Sequence, residues 1–331
     1  MNEKIKISLP ADTYELLKKD CLDFKILKST GEINMNEFIN TIIINHYEDF
    51  TAGEESLQDE IKKALFSVPE IYKKKAFDEI IKIIAKRGSQ DAKLQKSAQL
   101  SFKPTKSSEK AVTYIETVVI KNESISSFYR RMMISYSQKT KNEREKIIHK
   151  DNYELLEKAI SKNVRVTVVL KNETVVKDVS IFSVSSSRDE LFNYVLGYNG
   201  KDNITLRLAG IKSVMLLPDK AMIPKNNMEM LERQVKCGAQ YPIYPSDNEL
   251  IKVQLTPNGK KLFEKIYLYR PIPTKIEGDI YYFDCSANQL IYYFQRFGDS
   301  ALILSPKRLG IKMRDYYHFA VKKYRSIYDK Q

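Results

Sequence analysis

The sequence predicts an α+β protein with three parts: a pair of strand–helix–helix repeats, a small antiparallel β-barrel and a C-terminal α+β domain. Two observations carry this prediction. The stretch Lys4–Tyr47 is repeated by Gln99–Tyr136, each as one short strand followed by two helices. After residue 160 the apolar spacing changes from a helical period to the period of two that is typical of strands. The predicted domains are residues 1–150, 151–218 and 219–331.

The first repeat begins with an amphipathic strand in which Ile5 and Ile7 alternate with polar residues. Because a lone strand of this kind is not stable by itself, we expect the two repeats to pair as an antiparallel ribbon within one chain. The alternative is that both repeats are only helical packing modules. The polar side of a paired ribbon is a possible DNA-binding surface, formed by Lys4, Lys6, Ser8, Ser101 and Lys103.

The repeats resemble the ribbon-helix-helix family, in which two chains normally supply one strand each. Asn34 and Glu37 have the spacing of a capping box in front of an apolar helix, as the second helix of that family requires. The resemblance implies a tandem ribbon-helix-helix pair in a single chain, and contact with DNA through the ribbon.

Composition and charge indicate a protein that binds polyanions. The 331 residues carry a formal net charge of +13, although simple solubility is an alternative explanation. No apolar stretch is long enough for a membrane span, and the N-terminus lacks the apolar segment of a signal peptide. Three distant cysteines indicate reduced thiols. We therefore expect a cytoplasmic protein with no membrane association.

Five short strands predict a small, strongly bent barrel of the SH3 or Sm kind. A turn at Asn199–Gly200 separates two of them. The predicted strands are Val164–Leu170, Val175–Val184, Phe192–Tyr198, Ile204–Leu208 and Ser213–Leu217. The C-terminal part continues with strands at 251–255, 280–285 and 301–304 and with helices between and after them. Its aromatic block is the predicted two-fold interface of a homodimer, and it comprises Tyr281, Tyr282, Tyr292, Tyr293, Phe294, Tyr316 and Tyr317.

The stretch from Phe192 to Ile211 resembles the WYL domain. Tyr194 stands at the tyrosine of the family's tripeptide, while Asn193 and Val195 replace its tryptophan and leucine. Arg207 begins the pattern Arg-Leu-x-x-Ile of that family, and the block from Phe283 to Leu309 is similar to the extension that follows many WYL domains.

WYL proteins usually carry a winged helix-turn-helix, and here strand–helix–helix repeats take its place. This combination resembles the WYL accessory proteins encoded beside type VI-D CRISPR nucleases. The resemblance implies a single-stranded RNA binder that stimulates the effector nuclease. The alternative is a DNA-binding transcriptional regulator whose WYL domain senses a nucleotide or a nucleic acid.

The candidate RNA-binding residues lie on or near the strands of the predicted barrel. Arginines bind phosphate and stack on bases, and tyrosines stack on unpaired bases, although a strand tyrosine is more often a core residue. The candidates are Arg165, Arg188, Tyr194, Tyr198 and Arg207.

The sequence gives little support to an enzyme. His46, His149 and His318 form no metal-spaced pair, and neither a phosphate-binding glycine loop nor a nucleophile elbow occurs. A nuclease with dispersed carboxylates is the remaining enzymatic alternative. We predict no catalytic activity, no bound metal and no cofactor.

Overall fold

The computed structural model describes residues 4–94, 97–120 and 123–328. The fold is mixed α/β with three small antiparallel sheets, and the chain forms two compact units, Met1–Tyr153 and Glu154–Gln331. Among these described residues, no helix combines the length and the apolar character needed to cross a membrane.

The described residues of the first unit form two strands, six α-helices and a π-helical turn, and α7 leads into the second unit. In chain order the elements are β1 (Ile5–Pro10), α1 (Ala11–Asp23), α2 (Met35–Ala64), α3 (Glu70–Leu94), β2 (Ser97–Phe102), α4 (Glu109–Tyr114) with a following π-helical turn (Ile115–Val119), α5 (Ile125–Gln138), α6 (Lys141–Ile148) and α7 (Lys150–Lys162).

The strands of the two repeats pair with each other, as the sequence predicted. β1 runs antiparallel to β2, with Ile7 opposite Leu100 and Lys6 opposite Ser101. Ile7 and Leu100 are buried, whereas Lys6 and Ser101 are exposed, because side chains alternate between the two faces of a strand. The ribbon therefore has one face in the core and one polar face directed outward.

Helix α2 starts as the sequence predicts, with the Asn34 side chain accepting a hydrogen bond from the Glu37 amide at 3.2 Å. It continues without a break to Ala64, so its second half is part of the same helix. Helix α3 passes through Gly88, although a glycine after an apolar helical stretch is a common helix C-cap and predicts an end there. That prediction was wrong because an isolated glycine costs a helix only about 1 kcal/mol and does not by itself terminate it.

The charged run of helix α6 is a pattern that predicts a solvated helix face or a linker, and this prediction was also wrong. Arg144 and Glu145 are buried, and the Arg144 guanidinium binds the buried carboxylate of Asp20 in α1, with Nε 2.6 Å from Oδ2. The Tyr136 hydroxyl donates to the same carboxylate at 3.3 Å. Burial raises the pKa of Asp20, and Arg144 opposes that shift. The charged residues of α6 thus anchor it to the core of the first unit.

The second unit begins with a five-stranded antiparallel sheet in the order β6-β5-β4-β3-β7. The strands are β3 (Val164–Leu170), β4 (Val175–Ser186), β5 (Asn193–Tyr198), β6 (Asn203–Arg207) and β7 (Ile211–Lys220). All five predicted strands are present.

The predicted closed barrel is corrected to an open sheet. No hydrogen-bonded pairing joins the edge strands β6 and β7 in the described residues. A 3₁₀ turn at Leu208–Gly210 connects them, and its buried Leu208 redirects the chain between the two edges. The predicted domain boundary after Pro218 falls inside β7, an edge strand, where a proline does not disturb the pairing of a sheet.

The remaining elements form a four-stranded antiparallel sheet in the order β11-β8-β10-β9, together with four helices. They are α8 (Lys225–Cys237), β8 (Ile251–Leu255), α9 (Pro257–Lys265), β9 (Pro273–Glu277), β10 (Ile280–Phe283), α10 (Ala287–Phe294), β11 (Ala301–Ser305) and α11 (Lys307–Tyr328). The sequence analysis missed α8 and β9. Tyr293 and Phe294, which were assigned to a dimer interface, are instead buried in the core beneath this sheet.

Candidate nucleic-acid interface

Four of the five candidate RNA-binding residues lie on one face of the five-stranded sheet. Arg207 is directly opposite Tyr194, and Ser180 stands between Arg165 and Tyr198 in the register. Directly opposed residues share a face, and Tyr194 and Tyr198 are an even number of residues apart. The alternation read from the sequence therefore placed these side chains correctly relative to one another.

Helix α8 covers the middle of this face. Asn203 and Asn227 exchange two hydrogen bonds, and Gln234 donates from Nε2 to the Thr205 hydroxyl at 2.8 Å. Leu196, between the two tyrosines, is fully buried. Ligands can therefore reach only the two ends of the face, which lie about 13 Å apart along β5 at 3.3 Å per residue.

The end at Arg207 combines a cation with aromatic rings. The guanidinium carbon of Arg207 lies 3.4 Å from the centroid of the Phe192 ring, a cation–π contact. The hydroxyl of Tyr194 donates to Glu190 Oε2 at 2.8 Å, and Tyr269 contacts the other oxygen of that carboxylate at 3.4 Å. These contacts hold the Arg207 and Tyr194 side chains in fixed orientations at this end of the sheet.

Arg188 lies in the connection between β4 and β5, which also carries Glu190 and Phe192, and it is exposed. This connection and the neighbouring end of β6 form the Arg207 end. The sequence analysis did not single out Phe192, although its position just before β5 was a usable signal. Glu190 could not be assigned because its partner Tyr269 comes 79 residues later in the chain.

At the other end of the face, the polar side chains are already bonded to neighbouring residues. Arg165 lies 3.6 Å from Asp178 and 3.4 Å from Asp219, and its side chain is 34% exposed. The Tyr198 hydroxyl donates to the Gly200 carbonyl at 2.8 Å, which fixes it on the predicted turn. Two carboxylates therefore offset the charge of Arg165 at this end.

The polar face of the β1–β2 ribbon is the second candidate interface. Lys4, Lys6, Ser101 and Lys103 are exposed, and Ser8 is half-buried opposite Gln99. Gln99 belongs to the same face and was overlooked. All five predicted side chains thus lie along the outward side of the ribbon or at its ends.

The end of β2 is tied firmly to α2. The Lys103 amide donates to Asn36 Oδ1 at 2.7 Å, and Asn40 Nδ2 donates to the Lys103 carbonyl at 2.9 Å. On the other strand, Arg130 Nε donates to the Ser8 carbonyl at 2.6 Å. The ribbon is therefore a rigid support for its exposed side chains.

Among the described side chains, no group of three His, Cys, Asp or Glu residues is arranged to hold a metal ion. Burial raises the pKa of the Cys21 thiol to about 11 and also raises the pKa of Cys285. Burial lowers the pKa of His46 to about 4, so this imidazole is uncharged at neutral pH. His46 packs against Phe50 and Tyr136 in the core.

Comparison with known proteins gives a fold and no family assignment. No family model and no curated protein matches the chain. A solved structure described as the crystal structure of a CRISPR Cas-related protein is similar, with a TM-score of 0.68 and 17% identity over 99% of this chain and 95% of that one. At this identity the likeness shows a shared fold.

A second solved structure is the proteasome accessory factor B/C (PafBC) of Arthrobacter aurescens. Its TM-score is 0.23 and its identity 15%, over 65% of this chain and 35% of that chain. This likeness is too weak to carry an argument about either fold or function.

Proposed function

We propose that this chain is a cytoplasmic accessory protein that binds single-stranded RNA and stimulates a type VI-D CRISPR effector nuclease. The observation that carries the proposal is the Arg207 end of the sheet. There a guanidinium stacks on Phe192 directly opposite Tyr194. The fold shared with a protein described as CRISPR Cas-related is a second support.

Unpaired RNA offers a protein both its bases and its phosphates. Its bases stack on aromatic rings and on guanidinium planes, and its phosphates attract cations. Arg207 and Arg188 supply positive charge, and Tyr194 supplies a ring, at the end of the face that α8 leaves uncovered. Arg165 and Tyr198 belong to the same proposed site, at the other end of the face.

We also propose a fold family for each of two parts of the chain. The single-chain ribbon with its helices is taken as a tandem ribbon-helix-helix pair. The five-stranded sheet is taken as an open relative of the Sm fold in a WYL domain. The strand order β6-β5-β4-β3-β7, with a 3₁₀ turn before the last strand, supports the second assignment.

The direct test is a titration of labelled single-stranded RNA with the full chain carrying Arg207→Ala. Affinity should fall about tenfold or more, which corresponds to about 1.4 kcal/mol. Arg165→Ala is the matched control, since it removes the same charge from the same sheet but from a position held by two carboxylates. Its effect should be clearly smaller.

The melting temperature of each variant must be measured beside its affinity. A structural role for Arg207 predicts a lower melting temperature with unchanged RNA affinity, and that result would reject the site. Affinity for RNA should also exceed affinity for single-stranded and duplex DNA at the same salt concentration, and it should fall as salt rises.

The effector part of the proposal needs its own assay. A purified type VI-D nuclease should cleave target RNA faster when this protein is added, and the Arg207→Ala variant should stimulate it less. If the protein binds RNA and leaves the cleavage rate unchanged, the proposed accessory role is wrong. The proposed RNA binding is then still supported.

The second candidate function is a DNA-binding transcriptional regulator. The observation that favours it is the outward face of the ribbon, where Lys6 lies opposite Ser101 and two further lysines stand at the ends. A two-stranded ribbon fits the major groove of B-form DNA. Preference for duplex DNA over RNA in the titration would favour this function.

We also propose that the protein is a homodimer, with an interface on α11. The helix face that buries Leu309 and Met313 in the core continues beyond it as Tyr316, Tyr324 and Ile327, which are 48%, 65% and 64% exposed. An apolar helix stripe of this kind normally packs against a partner. A second copy of α11 supplies such a partner with two-fold symmetry.

A further inference from the structure

The four-stranded sheet of the second unit has one covered and one uncovered side. Its elements follow the order β8-α9-β9-β10-α10-β11, and all three helices α9, α10 and α11 contribute to the core beneath the sheet. Along β8, Ile251, Val253 and Leu255 are buried in that core. Lys252 and Gln254, which point to the other side, are exposed.

The register shows which residues share the uncovered side. One row runs across three strands as Lys252, Tyr282 and Lys275. Beside it on β11 stand Leu302, which is 60% exposed, and Leu304, which is 42% exposed. The uncovered side is therefore an apolar and basic surface with a tyrosine on a central strand.

Tyr282 is held in place between two cations. The Nζ atoms of Lys252 and Lys275 lie 5.5 and 5.8 Å from the centroid of its ring. Its hydroxyl donates to Glu277 Oε2 at 2.6 Å. Both lysine side chains are exposed, and Lys275 also forms an ion pair with Glu277. Lys252 is therefore the better placed of the two to leave the ring and reach a phosphate while the ring stays oriented.

The charge of this region matches a polyanion. On the uncovered side Lys252 and Lys275 outnumber the neighbouring acidic residue Glu277, and the whole chain has a net charge of +13. A surface with a net positive charge and an accessible aromatic ring is suited to nucleic acid.

We infer that the uncovered side of this sheet is a second binding surface for single-stranded RNA. Tyr282 stacks on an unpaired base, and Lys252 and Lys275 neutralise the flanking phosphates. Four-stranded sheets covered by helices on one side bind unpaired bases in this way through aromatic residues on their strands. The inference shares with the proposed function the premise that the chain binds RNA, and it concerns a different sheet.

The test compares Tyr282→Ala with Tyr282→Phe in the full chain, with a labelled oligouridine as the probe. Alanine removes the ring and should weaken binding by about fivefold or more, in line with measured base-stacking losses. Phenylalanine keeps the ring and loses only the bond to Glu277, so it should bind like the unmodified protein. Melting temperatures show whether the alanine variant is folded.

A second pair of variants tests the phosphate contacts. Lys252→Gln removes a charge from the uncovered side, and Lys261→Gln removes one from α9 on the covered side. Only Lys252→Gln should make the affinity less dependent on salt, because fewer counterions are then released. Equal effects of the two variants would show that only the overall charge of the protein affects binding, and they would overturn the inference.

Photo-crosslinking with a thiouridine-containing RNA separates this inference from the proposed function. Crosslinks to β10 that disappear in Tyr282→Ala support the second surface. Crosslinks confined to the Arg207 end, with normal binding by both Tyr282 variants, overturn it and leave the proposed function intact. A loss of dimer in Tyr282→Ala without a loss of RNA affinity assigns this side to a second copy and also overturns it.

Discussion

The buried pair of Asp20 and Arg144 offers a sharp test of how the first unit is held together. The Asp20 carboxylate is 1% exposed and Arg144 is 8% exposed. Arg144→Met keeps most of the side-chain volume and removes the cation that compensates this carboxylate. The remaining partner of Asp20 among the contacts described above is the Tyr136 hydroxyl at 3.3 Å.

The expected loss is large because a buried charge is left uncompensated. Removing one partner of such a pair costs about 3–5 kcal/mol. In a unit of this size each kcal/mol lowers the melting temperature by about 2–4 °C. Arg144→Met should therefore lower the melting temperature of the first unit by roughly 6–20 °C.

The loss should depend on pH in a defined direction. Burial raises the pKa of Asp20 above its ordinary value of 3.8, and Arg144 limits that rise. A carboxyl group with a raised folded-state pKa favours the folded state at low pH, and this contribution disappears as pH rises through the folded-state pKa. Without Arg144 the pKa of Asp20 rises further. The loss of stability in Arg144→Met should therefore grow from about pH 5 to about pH 7.5.

Circular dichroism melts of the full chain at both pH values measure this effect. Asp20→Asn combined with Arg144→Met is the control, since it removes the carboxylate charge and should regain most of the lost stability. A decrease in melting temperature of less than about 3 °C, or a deficit that is larger at acid pH, would refute the reasoning.

Two further predictions concern the proposed interfaces. Lys6→Ala combined with Lys103→Ala should weaken duplex DNA binding and reduce its salt slope by about 0.9 per lost phosphate contact, measured by fluorescence anisotropy at several salt concentrations. An unchanged slope excludes the ribbon as a DNA contact. Tyr316→Ser combined with Tyr324→Ser should convert the dimer to a monomer in light scattering, because both rings lie on the exposed stripe of α11. A variant that stays dimeric moves the interface elsewhere.

Much of the fold followed from local patterns in the sequence. The alternation of Ile5 and Ile7 with lysines is a period of two, and it correctly gave a ribbon with one apolar face. The five strands of the second unit were found for the same reason. Barrel closure was not predictable in this way, because it depends on whether the edges β6 and β7 meet.

The errors arose where the decisive partner is distant in the chain. The charged helix α6 reads as solvated, but Arg144 is paired with Asp20, 124 residues earlier. Helix α8 was missed because one of its buried residues is the polar Gln234, which weakens the apolar pattern. For the same reason the sequence could name Tyr194, Tyr198 and Arg207 as candidates and could not show that the middle of their face is covered.

The internal pairing of β1 with β2 has a consequence for symmetry. In a ribbon built from two identical chains, a two-fold axis relates the two strands, and the preferred duplex site is palindromic. Here Lys6 faces Ser101 and Ser8 faces Gln99, so the two halves of the ribbon are chemically different. A duplex contacted by this ribbon therefore has a preferred direction, and its best sequence has no dyad within a single ribbon's footprint.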